Sequence, residues 1–170
     1  MLNNQHIGAN NGSPFNRHEM QQAYSQLALE QQPTTLLTLT VKEPTGKHGN
    51  WRIPVDTLIS KGNLLLLWVN SELFGKKFKK NGFGLTGFGC IENQANHQPH
   101  LHLAITNPMP PNRLVKLKEA VFEKIQKFKL FDPRGVDVRS IGDSDEDFSA
   151  IGYYLAKEGQ MVTLGADGVV

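Results

Sequence analysis

The stretch His100-Leu101-His102-Leu103-Ala104-Ile105 decides the fold, because its large apolar side chains alternate with polar or small ones at the period of a β-strand. The three large aliphatic side chains share one side of that strand and predict a core face. His100 and His102 share the other side. Two neighbouring imidazoles pack poorly, since burial deprives them of hydrogen bonds and they repel each other when protonated. The stretch therefore predicts a strand with one core face and one functional face.

A metal site is the chemistry that this functional face suits best. Glu92 ends the preceding predicted strand, and a hairpin through residues 93–99 would return its carboxylate to the two rings. Two imidazole nitrogens and one carboxylate, with open positions for substrate and water, suit Mn²⁺ or Mg²⁺. We therefore expect Glu92, His100 and His102 to bind a divalent metal ion. The alternative is a surface strand with two incidental histidines.

The segments around this stretch predict a compact α+β domain with a central, mostly antiparallel sheet and flanking helices. Alternating apolar residues predict four strands, at 34–41, 84–92, 100–105 and 136–141. Apolar residues at helical spacing predict four helices, at 16–32, 55–80, 112–128 and 143–158. Gly62 is a candidate break in the second helix.

Composition limits the class of protein. The 170 residues, 39% of them hydrophobic and 20% charged, suffice for one domain, which we place at 16–170 behind a mobile leader at 1–15 that is rich in Asn and Gly. The one cysteine, Cys90, excludes an intrachain disulfide and a four-thiolate zinc site. The longest apolar run, 64–69, is too short to cross a membrane, and the N-terminus lacks a signal-peptide pattern. We therefore expect a cytoplasmic protein without a membrane partner.

A pair of tyrosines on the last predicted helix supplies a candidate nucleophile. The apolar stripe of this helix comprises Phe148, Ile151 and Leu155. At ~100° per residue Tyr154 falls beside that stripe and Tyr153 nearly opposite it, while Lys157 lies one turn further on. A phenol has a pKa of ~10, so it needs a nearby cation to act as a nucleophile at neutral pH. The metal or Lys157 would supply that cation, whereas the alternative role for either tyrosine is packing.

Taken together, these motifs resemble those of the HUH endonucleases, and among them the rolling-circle replication initiators (Rep) of plasmids and single-stranded DNA phages and viruses. The segment 36–41, Leu-Leu-Thr-Leu-Thr-Val, is similar to the first strand motif of the family. His100-Leu101-His102 is similar to its His–hydrophobic–His metal motif, with Glu92 at the place of the added acidic ligand. Tyr154-Leu155-Ala156-Lys157 is similar to its Tyr-x-x-Lys nucleophile motif. The resemblance covers residues 34–160 by motif order.

The resemblance implies a ferredoxin/RRM-like palm and a metal-dependent enzyme that nicks and joins single-stranded DNA. Tyr154 would attack the scissile phosphate, leaving a 5′-phosphotyrosine on the protein and a free 3′-hydroxyl that primes rolling-circle replication. Lys157 would assist, and Tyr153 is the second candidate for the nucleophile. The implied partners are single-stranded DNA at a replication origin or hairpin and a host replicative helicase or polymerase.

Other functions remain open at this point. A transposase of the single-tyrosine type shares the order of histidines and tyrosine, whereas a conjugative relaxase has its nucleophile near the N-terminus. A two-histidine phosphoesterase would need a second His-x-Ser/Thr motif, which His6, His18, His48 and His97 do not supply. A non-catalytic nucleic-acid-binding module is also compatible with the layout of strands and helices.

Basic and aromatic residues outside these motifs give weaker signals for DNA binding. A net charge of +2 does not by itself indicate a nucleic-acid partner. Lys76, Lys77, Lys79 and Lys80, which the pattern places at a helix C-terminus, are candidate phosphate contacts, although such charged faces are usually just solvated. Phe83 is a candidate for stacking on an unpaired base or for core packing, as is Trp51.

Overall fold

The computed structural model describes residues 17–42, 53–92, 99–156, 160–165 and 168–169. Its four helices are α1 (Arg17–Gln31), α2 (Val55–Phe74), α3 (Pro111–Ile125) and α4 (Asp145–Leu155). Its six strands are β1 (Thr35–Val41), β2 (Gly87–Glu92), β3 (His100–Ile105), β4 (Phe131–Ser140), β5 (Gln160–Gly165) and β6 (Gly168–Val169).

All strands join one sheet in the order β4-β1-β3-β2-β5-β6, and every neighbouring pair is antiparallel. Helix α2 carries the chain from β1 over β3 to β2, and α3 carries it from β3 over β1 to β4. These two interleaved βαβ units form the βαββαβ arrangement of ferredoxin-like domains. The predicted α+β class, with a central antiparallel sheet and flanking helices, is confirmed.

The two faces of the sheet carry separate apolar clusters. Helices α2 and α3 pack on one face, over aliphatic side chains at alternate positions of the central strands: Leu37, Leu39, Val41, Leu101, Leu103 and Ile105. Helices α1 and α4 pack on the other face over Leu36, Phe88 and Ala104. The Tyr24 hydroxyl of α1 donates to the Gly89 carbonyl oxygen of β2 at 3.1 Å, which fixes α1 to the sheet. Nearly every large apolar residue of β1 and β3 is therefore buried by a helix.

Helix α2 differs from its prediction at two points. The helix is continuous through Gly62. A Cβ at this position would lie 2.9 Å from Leu101 Cδ2, so the glycine allows the helix to approach β3 closely. The helix ends at Phe74, six residues before the predicted end, because Gly75 leaves the helical conformation with φ of 82°. Residues 76–80 form turns, so the prediction that their lysines lie at a helix C-terminus is wrong.

The other boundaries were predicted to within a few residues, apart from the strands at the C-terminal end. Helix α3 ends at Ile125 and β4 begins at Phe131, five residues before the predicted start. Ser144 caps α4 in a reciprocal capping box with Asp147, so this helix begins after the acidic run has started. Strands β5 and β6 were not predicted.

Some predictions fall on parts of the chain outside the described residues. They concern the leader at 1–15, most of the loop before α2, and the hairpin turn at 93–98. Among the described helices, none is long and apolar enough to cross a membrane.

Candidate active site

The functional residues of three strands meet on the α1/α4 face, at the end of the sheet where β2 ends and β3 begins. The register pairs His102 with Thr38 on one side and with Cys90 on the other. The register also pairs His100 with Thr40 of β1 and with Glu92 of β2. Two rows of side chains therefore cross the sheet: Thr38–His102–Cys90 and Thr40–His100–Glu92. The antiparallel pairing of β2 with β3 brings Glu92 beside the two histidines, as predicted.

A threonine hydroxyl fixes the tautomer of His100. Thr40 Oγ1 donates its one proton to the Gly135 carbonyl oxygen at 2.8 Å. It therefore accepts from His100 Nδ1, which lies 3.0 Å away and must carry the ring proton. In the neutral ring the lone pair is then on Nε2, the atom that would bind a metal ion. A hydrogen-bonded Nδ1–H behind a ligating Nε2 is the usual support for a metal-bound histidine.

His102 is buried, with 3% of its surface exposed, and both of its ring nitrogens are hydrogen-bonded. Nδ1 lies 2.9 Å from Thr38 Oγ1, and Nε2 lies 3.1 Å from Glu92 Oε2. Burial lowers the pKa of His102 and outweighs the opposing effect of the Glu92 carboxylate. Its ring stacks with that of His100 at a centroid distance of 5.6 Å and an angle of 21°. Burial thus favours the neutral form of the His102 ring, which is the form that a metal ion binds.

Helix α4 places Tyr154 against this pair. The ring meets the ring of His102 edge to face, with centroids 5.1 Å apart and planes at 80°. Burial raises the pKa of Tyr154, the Glu92 carboxylate raises it further, and Arg139 opposes the shift. Tyr154 keeps 40% of its surface exposed, so a substrate can reach it from solvent.

The neighbouring residues explain why Tyr154 and not Tyr153 lies at the histidines. A Cβ at Gly152 would lie 2.5 Å from Ser25 Cα, so this glycine allows α4 to approach α1 closely. Phe148, Ile151 and Leu155 pack toward the sheet, and Tyr154 lies beside this stripe of α4, whereas Tyr153 lies nearly opposite it. Tyr153 is 47% exposed. Lys157, the predicted cation of this motif, lies outside the described residues.

Arg139 of β4 is a site residue that the sequence analysis missed. It pairs with Leu36 of β1, and its guanidinium Nε lies 3.1 Å from Asp137 Oδ2. Together with Tyr154 and Ile151 it lines a cavity of about 280 Å³ between β4 and α4. The signal was present in Val136-Asp137-Val138-Arg139, whose alternation places both charged side chains on the functional face. The site thus contains a cation beside the tyrosine.

The donor atoms of these residues suit a divalent metal ion, but their side chains are not arranged around a metal position. No group of three or more His, Cys, Asp and Glu side chains in the described part of the chain is arranged to hold an ion. Glu92 and His102 instead contact each other directly. Two imidazoles supported by hydroxyls and one carboxylate nevertheless form a donor set for Mn²⁺ or a similar ion. Binding would require the Glu92–His102 hydrogen bond to open, with the His102 proton moving to Nδ1 or to solvent.

The weaker candidates lie elsewhere or outside the described residues. Lys76, Lys77, Lys79 and Lys80 are exposed beyond the other end of β2, away from the histidines. Phe83 follows them, while Trp51 and His97 are outside the described residues.

Comparison of the chain with family models, with curated proteins and with solved structures finds no match, so its function has to be argued from the site itself.

Proposed function

We propose that this protein is a metal-dependent enzyme that nicks and joins single-stranded DNA through Tyr154 and so initiates rolling-circle replication. The observation that carries the proposal is the contact between the rings of Tyr154 and His102, since His102 is hydrogen-bonded to Glu92 and lies on the same face as His100. A lone tyrosine at a helix end is usually a packing residue. Here the tyrosine is half-exposed and touches the candidate metal ligand. That placement suits a nucleophile.

The metal ligands in the proposal are Glu92, His100 and His102. A bound divalent ion would polarise the scissile phosphate and would offset the Glu92 charge that raises the pKa of Tyr154. Thr38 and Thr40 orient the two rings through their Nδ1 atoms. Arg139 lies close enough to influence Tyr154 and would donate hydrogen bonds to a phosphate oxygen, which compensates charge as the phenol loses its proton.

The covalent step balances without an external reactant. Tyr154 Oη forms a bond to phosphorus, the bond from phosphorus to O3′ breaks, and O3′ gains a proton while the phenol loses one. The protein is then joined to the 5′ end of the downstream strand. Attack of a 3′-hydroxyl on the phosphotyrosine reverses these bonds, so joining needs no ATP. A nick that keeps its bond energy and leaves a primer end suits rolling-circle initiation.

The direction of the linkage gives a sharp experiment. Random-sequence single-stranded 40-mers, labelled at either the 3′ or the 5′ end, are incubated with the protein and Mn²⁺ and separated under denaturing conditions. We expect the 3′ label to migrate with the protein and the 5′ label to appear in a shorter fragment that a polymerase can extend. Addition of EDTA and use of duplex 40-mers are the controls, and both should remove the adduct.

Two results would contradict the proposal. Absence of a covalent adduct with Mn²⁺ and with Mg²⁺ would leave a binding module as the better interpretation. A 5′ label on the protein would show that the opposite phosphate bond breaks.

A further inference from the structure

A second cavity lies at the end of β2 opposite Glu92. It measures about 480 Å³, and its walls include Leu73, Phe74, Phe83, Thr86, Asn107 and Arg113. These residues come from the end of α2, the segment before β2, the segment after β3 and the start of α3. The β2–β3 hairpin separates this cavity from the histidines by about 20 Å, at ~3.4 Å per residue over six residues. It is therefore not part of the candidate active site.

An aromatic side chain stands exposed at this cavity. Phe83 has 55% of its surface exposed, the largest fraction among the exposed large hydrophobic residues of the described part of the chain. Its position is fixed because its backbone N–H donates to the Phe78 carbonyl oxygen at 2.9 Å, and Phe78 is buried. An exposed ring on an anchored turn is suited to stacking on a flat partner such as a nucleobase.

Cationic residues lie on the same turn as Phe83 and in the wall of the cavity. The turn that ends at Phe83 exposes four lysines: Lys76, Lys77, Lys79 and Lys80. Backbone hydrogen bonds from Asn81 to Lys77 and from Gly82 to Lys79 hold the turn. Across the cavity, Arg113 lies over the Phe74 ring at 5.7 Å. None of the described residues that line the cavity is acidic, so the surface attracts a polyanion.

We propose that this Phe83 surface, comprising Phe83, Arg113 and the four lysines of the turn, binds single-stranded DNA away from the scissile phosphate. A base stacks on Phe83, and adjacent phosphates contact the lysines and Arg113. The identity of the strand as the substrate of the enzyme rests on the function proposed above. At ~3.4 Å per stacked nucleotide, ~20 Å along β2 corresponds to about six nucleotides, and a strand that passes around the end of the sheet to the α1/α4 face needs more than six.

Binding of fluorescent dT30 in EDTA, followed by anisotropy at several salt concentrations, tests the proposal. All proteins carry Tyr154→Phe, so no covalent adduct contributes. We expect Phe83→Ala to weaken binding about 5- to 150-fold, the range typical of removing one stacked base, and Phe83→Tyr to retain it. Changing all four turn lysines to Gln should reduce the salt slope by about 0.7 for each phosphate that the protein no longer neutralises.

The matched control changes four other lysines to Gln, at Lys116, Lys118, Lys127 and Lys129 on and just after α3. It removes the same charge from another exposed surface. If the turn variant and the control weaken binding equally, or if Phe83→Ala binds like the parent protein, the proposal is wrong.

A lipid surface is the competing partner for such a basic, aromatic patch. If phosphatidylserine vesicles bind the parent protein but not the turn variant, while dT30 binding is unchanged, the surface binds lipid instead and the proposal is overturned. Failure of the enzymatic proposal looks different: the adduct assay is negative, but dT30 binding still depends on Phe83.

Discussion

The two faces of the sheet are built from the same strands but carry opposite chemistry. On the α2/α3 face, the alternate positions of β1 and β3 are all buried, and all are aliphatic except Thr35 at the start of β1. On the α1/α4 face, apolar residues such as Leu36 and Ala104 occupy one end, and threonines and histidines occupy the other. Each of these threonines and histidines is thus next in sequence to a fully buried aliphatic residue of the other face. The aliphatic face under α2 and α3, here called the packed face, gives the sheet the rigidity with which the face under α1 and α4, the polar face, holds its imidazoles.

The largest effect expected is on the covalent step, and it falls on one residue of the polar face. Tyr154→Phe removes the attacking oxygen but keeps the ring that packs against His102. We expect complete loss of the adduct, with DNA binding and thermal stability unchanged. Tyr153→Phe is the matched control and should keep substantial activity, because Tyr153 has no place at the histidines. An adduct peptide from the wild-type protein that maps to Tyr153 would move the nucleophile by one residue.

The next effect concerns the metal ligands of the same face. His102→Ala should lower Mn²⁺-dependent nicking by roughly 10³-fold, the equivalent of about 4 kcal/mol of transition-state stabilisation. Titration calorimetry of the His100→Ala/His102→Ala double variant should show no Mn²⁺ binding, with circular dichroism as the check on the fold. Unchanged Mn²⁺ affinity in the double variant would exclude these residues as the ligands.

Replacing a residue of the packed face should lower the stability of the protein more than replacing a residue of the polar face. Leu103 is fully buried, so Leu103→Ala should lower the free energy of unfolding by about 2–5 kcal/mol through reduced burial and a new cavity. His100→Ala, three residues away on the other face, should cost about 0.5–1.5 kcal/mol, the worth of its hydrogen bond to Thr40. Urea unfolding of both variants measures the difference, and equal decreases would contradict the division between the faces.

The alternation of His100–Ile105 was sufficient to predict both faces of β3, and the class of the fold followed from the order of elements around it. The sequence could not show that Thr38 and Thr40 support the rings, because the register of β1 against β3 depends on the whole sheet. Arg139 was missed for the same reason: its strand was predicted, but not its place beside β1. The end of α2 was missed because the lysines suggested a helix terminus, whereas Gly75 determined it. Strands β5 and β6 lie between the last predicted helix and residue 170, a part of the predicted domain for which the sequence analysis predicts no element.

The smallest effect is a pH dependence that compares burial with ion pairing at His102. Burial lowers the pKa of the folded-state imidazole below its value of ~6.5 in the unfolded chain, despite the Glu92 carboxylate 3.1 Å away. The unfolded state therefore takes up a proton first as the pH falls. The stabilising contribution of neutral His102 is complete above pH ~6.5 and is lost progressively as the pH drops from there toward the folded-state pKa.

Urea unfolding between pH 5 and 8 in EDTA, for the wild-type protein and His102→Asn, isolates this contribution from that of the other histidines. We expect the difference in stability between the two proteins to shrink as the pH falls below ~6.5, because only the wild type loses the contribution of a neutral, buried imidazole. If the ion pair with Glu92 dominated instead, the folded-state pKa would be raised, and acidification through the same range would increase the advantage of the wild type. The sign of the change therefore shows whether this end of the polar face behaves as part of the core, holding a neutral metal ligand, or as an exposed ion pair.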